Sequence, residues 1–205
     1  MSERQRSLWA WGWRDKFPDD GARKGLAQMV GALLPGAKPA LRALPPDEPS
    51  VPASATAIPD ALAEIATQAP YDRAARARGR AFPDLVAGLS GDYTGAPDLV
   101  VRPRDAGEVV RVLAECDARN WAVVPFGGGT SVVQGVDSAL ARRDAPVVVL
   151  DLGALSGVHE IDATSRLARI GGGTLGPRLE DELAPYGLTL RHFPQSFEFS
   201  TLGGW

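Results

Sequence analysis

Two glycine-rich tetrapeptides are the strongest candidates for a binding site in the sequence. The sequence GGGT occurs at residues 127–130 and again at residues 171–174. Three adjacent glycines let successive backbone N–H groups point in one direction, and a ligand can approach the main chain without meeting a Cβ atom. Each tetrapeptide therefore suits an anionic group bound through backbone amides.

The first loop carries two hydroxyl groups beside its glycines. Thr130 and Ser131 add donors for a pyrophosphate, and the loop lacks the lysine that a P-loop requires. A tight turn in a twisted sheet is the alternative interpretation, but such a turn needs one or two glycines rather than three. The first loop thus predicts a pyrophosphate site that is not a P-loop.

The second loop fits the G-x-G-x-x-G pattern of Rossmann folds through Gly171, Gly173 and Gly176. That fold expects an acidic residue about 20 positions further on, where it binds the ribose hydroxyls. Position 191 is Arg191 instead. Since an arginine suits a 2′-phosphate, an NADP-binding Rossmann-like module stays open as an alternative.

Short apolar strands are predicted to position the first loop. Residues 99–101, 121–126 and 147–150 have the apolar composition of buried strands. A helix is predicted over residues 105–120, where Asp105 begins a capping-box pattern. Strand, helix, strand and glycine loop follow in βαβ order. The buried face of this helix should carry Val109, Val110, Leu113 and Cys116.

A hairpin and a helix are predicted around the second loop. Residues 158–161 and 167–170 should form paired strands. Gly187 should end the helix that follows the loop, and residues 188–190 should form a further strand. One face of this helix carries Leu175, Leu179 and Leu183.

The first ninety residues differ in composition from the rest. An amphipathic helix is predicted over residues 21–34, with Asp20 as its N-cap. Residues 36–59 are rich in proline and should form an extended arm. The inward face of the helix should carry Leu26, Met29, Val30 and Leu33.

Two more helices are predicted after the arm. One should begin at Asp60, with Leu62, Ile65 and Ala66 inward, and the other should run from near Tyr71 to Gly79. The second is basic, and in an acidic chain a solvated face is the expected interpretation. Its arginines are Arg73, Arg76, Arg78 and Arg80.

Composition limits the class of protein. Of the 205 residues, 44% are hydrophobic and 23% charged, which is typical of a soluble domain. The formal net charge of −3 does not favour binding to nucleic acid. No apolar run approaches the roughly 20 residues of a membrane span. Cys116, His159 and His192 are too few for a Cys/His metal cluster. We expect a cytoplasmic protein without a metal, nucleic acid or integral membrane segment.

The first loop and its surroundings resemble a flavoprotein family. Residues 125–132, PFGGGTSV, are similar to the pyrophosphate loop of FAD-linked oxidases of the vanillyl-alcohol oxidase and p-cresol methylhydroxylase (PCMH) class. The likeness extends to residues 97–103, to the helix at 105–120, and to the second loop and its helix at 170–187.

The last residues resemble one branch of that class. Residues 187–205 are GLTLRHFPQSFEFSTLGGW, and the alkylglycerone-phosphate synthase branch has Gly-x-x-x-x-His-x-Pro-Asp-Ser-x-Glu-Phe-Ser-Thr-x-Gly-Gly-Trp. The cluster from Trp9 to Trp13 is also similar to this branch. His192 matches the branch histidine, which we interpret as structural, and Gln195 stands where the branch has aspartate.

The resemblance implies an α+β fold, a PCMH-type FAD-binding domain of two α+β subdomains. A helical and proline-rich extension would occupy residues 1–90 and the domain residues 91–205. The first subdomain would span about residues 91–152, and residues from about 153 to 205 would form the start of the second subdomain. Because family members continue into a substrate domain, we expect the N-terminal, cofactor-binding portion of a longer enzyme, incomplete at its C-terminus.

The resemblance also implies FAD as the cofactor. Class members that attach FAD covalently use a histidine near the first loop, and none lies there, so non-covalent FAD is expected. The glycine amides and the hydroxyls of Ser196, Ser200 and Thr201 are the implied donors. The implied cofactor-binding residues are Pro125, Phe126, Gly127, Gly128, Gly129, Thr130, Ser131, Gln195, Ser196, Phe197, Glu198, Phe199, Ser200 and Thr201.

Two classes of function stay open. The first is an FAD-dependent oxidoreductase with a small-molecule substrate, with a homodimer left open. It would either resemble alkylglycerone-phosphate synthase, which exchanges an acyl for an alkyl chain on a dihydroxyacetone phosphate ester, or oxidise a 2-hydroxy acid or another alcohol. The second is a non-catalytic module that only holds a nucleotide.

Overall fold

Helices and short strands alternate along the computed structural model, which describes residues 5–39, 41, 43–46, 48–141 and 144–205. The helices are Asp20–Leu33 (α1), Pro70–Ala75 (α2), Phe82–Leu89 (α3), Ala106–Ala118 (α4), Ser138–Ala141 (α5) and Gly176–Leu183 (α6). The strands are Ala66–Thr67 (β1), Leu99–Val101 (β2), Ala122–Phe126 (β3), Val147–Asp151 (β4), Val158–Asp162 (β5) and Leu167–Ile170 (β6). Short 3-10 turns occur at Arg14–Lys16, Asp60–Leu62, Ala184–Tyr186 and Leu202–Gly204.

A four-stranded sheet forms the centre of the molecule. Its order is β1-β2-β4-β3, with β2, β4 and β3 parallel and β1 antiparallel at one edge. All five residues of β4 are buried, as expected for a parallel strand covered on both faces. Because α4 connects β2 to β3, the predicted βαβ unit is confirmed. β1 shows that residues of the N-terminal extension complete this sheet.

Side chains of the sheet alternate between two apolar clusters, since successive strand residues point to opposite faces. One cluster contains Leu62, Ile65, Leu99, Val101, Val112, Cys116, Val148 and Leu150. The other contains Val100, Val124, Phe126, Val147 and Val149. Cys116 is buried as predicted, and its burial raises the pKa of the thiol to about 11. It is a packing residue in this fold.

The N-terminal helix differs from its predicted packing. α1 starts at Asp20 and is capped by Asp19, whose carboxylate accepts a hydrogen bond from the Ala22 amide at 2.8 Å. None of its residues is buried, because no described residue covers its apolar face. The prediction that this face points inward is therefore wrong for Leu26, Met29, Val30 and Leu33, which are 50%, 52%, 38% and 69% exposed.

The segment after the arm contains less helix than predicted. A 3-10 turn and β1 replace the helix expected from Asp60, although Leu62 and Ile65 are buried as predicted. α2 ends at Ala75 rather than Gly79. The sequence patterns did not predict α3, where the Asp84 carboxylate accepts a hydrogen bond from the Ala81 amide at 2.9 Å.

Three other predictions need correction. In α4 the buried residues include Val112, whereas Val110 is 66% and Leu113 45% exposed. Leu175 precedes α6 and is also exposed. Residues 188–190 form no strand. The hairpin of β5 and β6 is confirmed, as is the end of the helical segment at Gly187, which has a φ of +67°.

Buried polar side chains attach the proline-rich arm to the sheet. Asp98 is fully buried, and its carboxylate accepts hydrogen bonds from the amides of Ala55 at 2.7 Å and Val147 at 2.8 Å. Arg73 donates to the carbonyl oxygens of Pro97 at 2.6 Å and Pro52 at 2.8 Å. The arm is thus held along the edge of the core.

The part of the chain that the structure describes contains neither a membrane-spanning helix nor a metal site. No helix there is long and apolar enough to span a bilayer. No group of three or more His, Cys, Asp or Glu side chains is placed to hold a metal ion.

We predict that Asp98→Asn lowers the free energy of unfolding by about 2–3 kcal/mol, because the side-chain amide can accept from only one of the two N–H groups that the buried carboxylate binds. Urea denaturation measures the change. The matched control is Asp162→Asn, since Asp162 is exposed in a hairpin turn, and it should cost less than about 0.5 kcal/mol. Equal effects of the two substitutions would contradict the assigned role of Asp98.

Candidate functional site

A cleft of about 850 Å³ lies at the carboxyl ends of the parallel strands. Arg102 follows β2, the first glycine loop follows β3, and Asp151 ends β4, and all three line the cleft. Residues 5–7 contribute another wall, together with Glu198, Phe199 and Thr201. Open α/β sheets bind ligands outside the carboxyl ends of their strands. The volume suits a nucleotide-sized ligand.

The first glycine loop packs directly against residues 199–201. A Cβ atom at Gly128 would lie 1.8 Å from the Phe199 carbonyl oxygen, and one at Gly127 would lie 2.2 Å from Thr201 Oγ1. Gly129 has a φ of +65°, a conformation that favours glycine. At Gly127 and Gly128, the space that a Cβ atom would fill is therefore occupied by residues 199–201. The sequence predicts that the ligand would occupy this space, and this part of the prediction is wrong.

The amides of the first loop lack acceptors. Among the described residues, no oxygen accepts a hydrogen bond from the backbone N–H of Gly127, Gly128 or Gly129. Gly127 and Gly128 are half-buried and Gly129 is buried, so these amides line the cleft with their donors available to an acceptor ligand. This observation supports the pyrophosphate site that the sequence predicts.

Arginines outnumber carboxylates around the cleft. Five arginines and three carboxylates line it, and one of the arginines, Arg178, is paired at 2.6 Å with Glu182 outside the lining. The other four arginines still exceed the three carboxylates by one positive charge, which favours a pyrophosphate diester with its two negative charges. The charged residues are Arg6, Arg76, Arg80, Arg102 and Arg178, with Asp72, Asp151 and Glu198.

Four of these groups form an ion-pair network across the strand ends. Arg76 lies 2.6 Å from Asp151 and 3.2 Å from Asp72. Arg102 pairs with Asp72 and lies 3.4 Å from Asp151. Although burial acts in the opposite direction, the hydrogen bond and charge of Asp72 raise the pKa of Arg102. The network balances its own charge and ties α2 to β2 and β4.

Arg6 and Arg80 have unsatisfied N–H groups in the same cleft. Within the described ranges, Arg6 Nε and Nη2 and Arg80 Nε are buried without a hydrogen-bond partner. Burial and the charge of Arg80 lower the pKa of Arg6 to about 10. Because buried cations without partners are costly, an anionic ligand is favoured here. The orphaned donors therefore fit a cofactor with a pyrophosphate.

The two predicted cofactor-binding segments meet at this cleft. The predicted residues that line it are Phe126, Gly127, Gly128, Gly129, Glu198, Phe199 and Thr201. A second cavity of about 520 Å³ adjoins the cleft at Glu198 and Phe199. The predicted residues that line only this second cavity are Thr130, Gln195 and Ser196.

The other four predicted residues line neither cavity. Pro125 is exposed. Ser131 Oγ accepts hydrogen bonds from its own loop, at the amides of Val133 and Gly135. The hydroxyl of Ser200 accepts a hydrogen bond from Trp205 Nε1 at 2.8 Å. The ring of Phe197 packs where a Cβ atom of Gly176 would lie. Ser131, Ser200 and Phe197 thus hold the surrounding loops in place.

The second glycine loop is a packing element. Cβ atoms at Gly171 and Gly173 would lie 2.4 Å from the Leu155 carbonyl oxygen and 2.2 Å from that of Leu152. The loop follows the antiparallel strands β5 and β6, whereas a Rossmann loop follows a parallel strand. This topology excludes the Rossmann alternative and the NADP module with it, and Arg191 is exposed.

Several cleft residues were not predicted from the sequence. The arginines after Tyr71 are not on a solvated face as expected, since Arg73 is 3% and Arg80 8% exposed. Arg6 was not singled out at all. A run of four arginines in an otherwise acidic chain, together with a predicted pyrophosphate loop, is the signal that could have found this wall of the cleft.

The chain is similar in sequence to two curated synthases. The chain is 35% identical over 133 residues to alkyldihydroxyacetonephosphate synthase of Caenorhabditis elegans, covering 65% of this chain and 22% of the relative. It is 36% identical over 127 residues to the synthase of Dictyostelium discoideum, covering 62% and 20%. The chain thus spans about a fifth of the length of these curated relatives.

Solved structures give the same result. Two crystal forms of alkyldihydroxyacetonephosphate synthase align with TM-scores of 0.70 and 0.74 at 28% identity. The alignments cover 88% of this chain and 35% and 36% of those structures. The sequence profile described as "FAD binding domain" matches residues 97–205, more than half of the chain. The chain therefore belongs to the FAD binding domain family, with the PCMH-type α+β fold.

Proposed function

We propose that this chain binds FAD non-covalently in the cleft and forms the cofactor-binding part of an alkyldihydroxyacetonephosphate synthase-like enzyme. The observation that carries the proposal is the convergence of unpaired N–H groups. Among the described residues, the amides of residues 127–129, Nε and Nη2 of Arg6 and Nε of Arg80 lack acceptors at one cleft with an excess positive charge.

The chain's own residues would bind and orient the cofactor. When bound, the flavin supplies the redox chemistry. The amides of the first loop donate hydrogen bonds to the pyrophosphate, and the network of Arg76 and Asp151 keeps the strand ends in place. Trp13 and Phe199, whose ring centroids lie 5.4 Å apart, shield this region from water.

The smaller cavity extends the proposed site. Thr130, Gln195 and Ser196 line it with polar groups, and Glu198 and Phe199 connect it to the main cleft. We assign these three polar side chains to parts of the cofactor beyond the pyrophosphate. Gln195 can donate as well as accept a hydrogen bond, so an amide at this position is compatible with the assignment.

Neither histidine is placed for covalent attachment. His159 lies on β5 and is exposed, and His192 is exposed beside Trp205, with ring centroids 5.3 Å apart. Neither residue lines the cleft. This arrangement supports a cofactor held by hydrogen bonds and charge alone.

The extent of the similarity supports the synthase branch. The synthase alignments cover 65% and 62% of the chain, which is more than residues 97–205 represent. They therefore include part of the N-terminal extension. A putative D-lactate dehydrogenase of Schizosaccharomyces pombe is 30% identical over only 98 residues. Oxidation of a 2-hydroxy acid is accordingly the second candidate activity.

Titration of the purified protein with FAD, followed by flavin fluorescence, tests cofactor binding. Saturable binding of one FAD per chain is expected, without competition from NADP. Failure to saturate would contradict the proposed site. For the activity, an enzyme that includes the substrate domain as well as this chain should be used. A long-chain acyl ester of dihydroxyacetone phosphate should change the visible absorbance of its bound flavin, and D-lactate should not. The reverse response would favour the second candidate.

We predict that Gly128→Ala weakens FAD binding about 10- to 100-fold, because a Cβ atom there overlaps the Phe199 carbonyl oxygen and forces the two loops apart. The matched control is Gly172→Ala in the second loop, where the nearest atom to the added Cβ would be 3.7 Å away. FAD titration should show less than a twofold change for the control. Equal FAD affinities of the two variants would show that the first loop is not part of the FAD site.

We predict that acid precipitation of the flavin-loaded protein releases all of its flavin to the supernatant. No histidine side chain among the described residues lines the cleft, so denaturation should leave no bond to the cofactor. Absorbance of the supernatant and of the redissolved pellet measures the distribution. Flavin retained on the denatured polypeptide would show covalent attachment.

A further inference from the structure

We propose that Arg6 binds the pyrophosphate of FAD and that the N-terminal segment, residues 5–17, acts as a clamp over the cofactor. This proposal rests on the proposed function, because it takes FAD as the ligand of the cleft. It extends the site to a segment outside the family match at residues 97–205.

The backbone of the N-terminal segment is anchored around Arg6. The hydroxyl of Tyr71 donates a hydrogen bond to the Arg6 carbonyl oxygen at 3.0 Å, and Arg80 Nη2 donates to the Ser7 carbonyl oxygen at 3.0 Å. Ser7 is 3% exposed, and a bridge pairs Arg6 with Trp13. The position of Arg6 is therefore fixed by the core and not by solvent-exposed contacts.

One edge of the Arg6 guanidinium is already used. Its Nη1 donates to the carbonyl oxygen of Gly128, and the guanidinium carbon lies 4.6 Å from the ring centroid of Phe199. Arg6 thus contacts both loops that form the cleft. These contacts also orient the plane of the guanidinium.

The other edge is free to bind an oxyanion. Nε and Nη2 form one side of the planar guanidinium, and they are the two Arg6 atoms that are buried without a hydrogen-bond partner among the described residues. Two parallel N–H groups of this kind match two phosphate oxygens in a bidentate contact. The unpaired edge lines the same cleft as the amides of residues 127–129.

The surroundings of Arg6 are unfavourable for a cation without a ligand. Burial, followed by the charge of Arg80, lowers its pKa to about 10, although Tyr71 and Glu198 act in the opposite direction. We therefore expect Arg6 to contribute little to the free energy of unfolding of the FAD-free protein. It should stabilise the complex once the pyrophosphate of FAD, a dianion, is bound in the cleft.

The test compares Arg6→Gln with Arg14→Gln in the purified protein. Both substitutions remove one positive charge from the N-terminal segment, but Arg14 does not line the cleft. FAD titration should show affinity about 10- to 100-fold weaker for Arg6→Gln and within twofold of wild type for Arg14→Gln. Arg6→Lys keeps the charge without the planar edge and should lose an intermediate amount.

Two further measurements separate binding from folding. The melting temperature of the FAD-free protein should be within about 3 °C of wild type for Arg6→Gln. FAD should slow tryptic cleavage after Arg14 and Lys16 in the wild type but much less in Arg6→Gln, because coupling between ligand and clamp is reciprocal. If Arg6→Gln does not fold, Arg6→Lys is used for the same measurements.

The outcomes distinguish this proposal from the proposed function. If the wild type does not bind FAD, the proposed function fails. If the wild type binds FAD and Arg6→Gln binds it equally well, only the clamp is overturned. The clamp is also overturned if the melting temperature falls in proportion to the affinity, or if FAD leaves the tryptic cleavage of the wild type unchanged.

Discussion

The close contact between residues 127–129 and residues 199–201 is the constraint on which the cleft depends. Residues 127–129 directly follow β3 at the edge of the sheet. Residues 199–201 pack against them and leave no room for a side chain at Gly127 or Gly128. Among the described residues, the amides of the loop have no acceptors. The glycines therefore bring two distant segments together and leave donors for a ligand.

Electrostatics divides the charged residues of the cleft into two groups. Asp72 and Asp151 balance Arg76 and Arg102 in a network that positions the ends of the sheet strands. Arg6 and Arg80 instead keep buried N–H groups without partners. A balanced network provides rigidity, whereas unpaired cations provide affinity for an anion. The same cleft thus contains both a scaffold and a binding surface.

Local patterns predicted the elements around the first loop well. The apolar runs of β2, β3 and β4 and the capping residue Asp105 are short-range signals, and the structure confirms them. The apolar periodicity of α1 correctly predicted a helix but did not predict its exposure. Periodicity shows which side chains share a face, and it does not show whether another part of the chain covers that face. Val112 was missed in α4 because the pattern was placed on a neighbouring face.

The predicted site was incomplete because its charged walls are formed by tertiary contacts. Arg6 is separated from Gly128 by 122 positions, and its role depends on a contact that only the folded chain brings about. The buried state of Arg73 and Arg80 follows from carbonyl groups supplied by other segments. No spacing rule encodes such contacts, whereas the glycine loop is visible because its chemistry is contiguous in sequence.

A crystal structure of the protein with FAD would show which residues bind the pyrophosphate. We predict pyrophosphate oxygens about 3 Å from the amide nitrogens of residues 127–129 and from Nε and Nη2 of Arg6. We also predict that the contact of the first loop with residues 199–201 persists. A pyrophosphate bound at the second loop, residues 171–174, with Nε and Nη2 of Arg6 still unpaired, would contradict the proposed binding site.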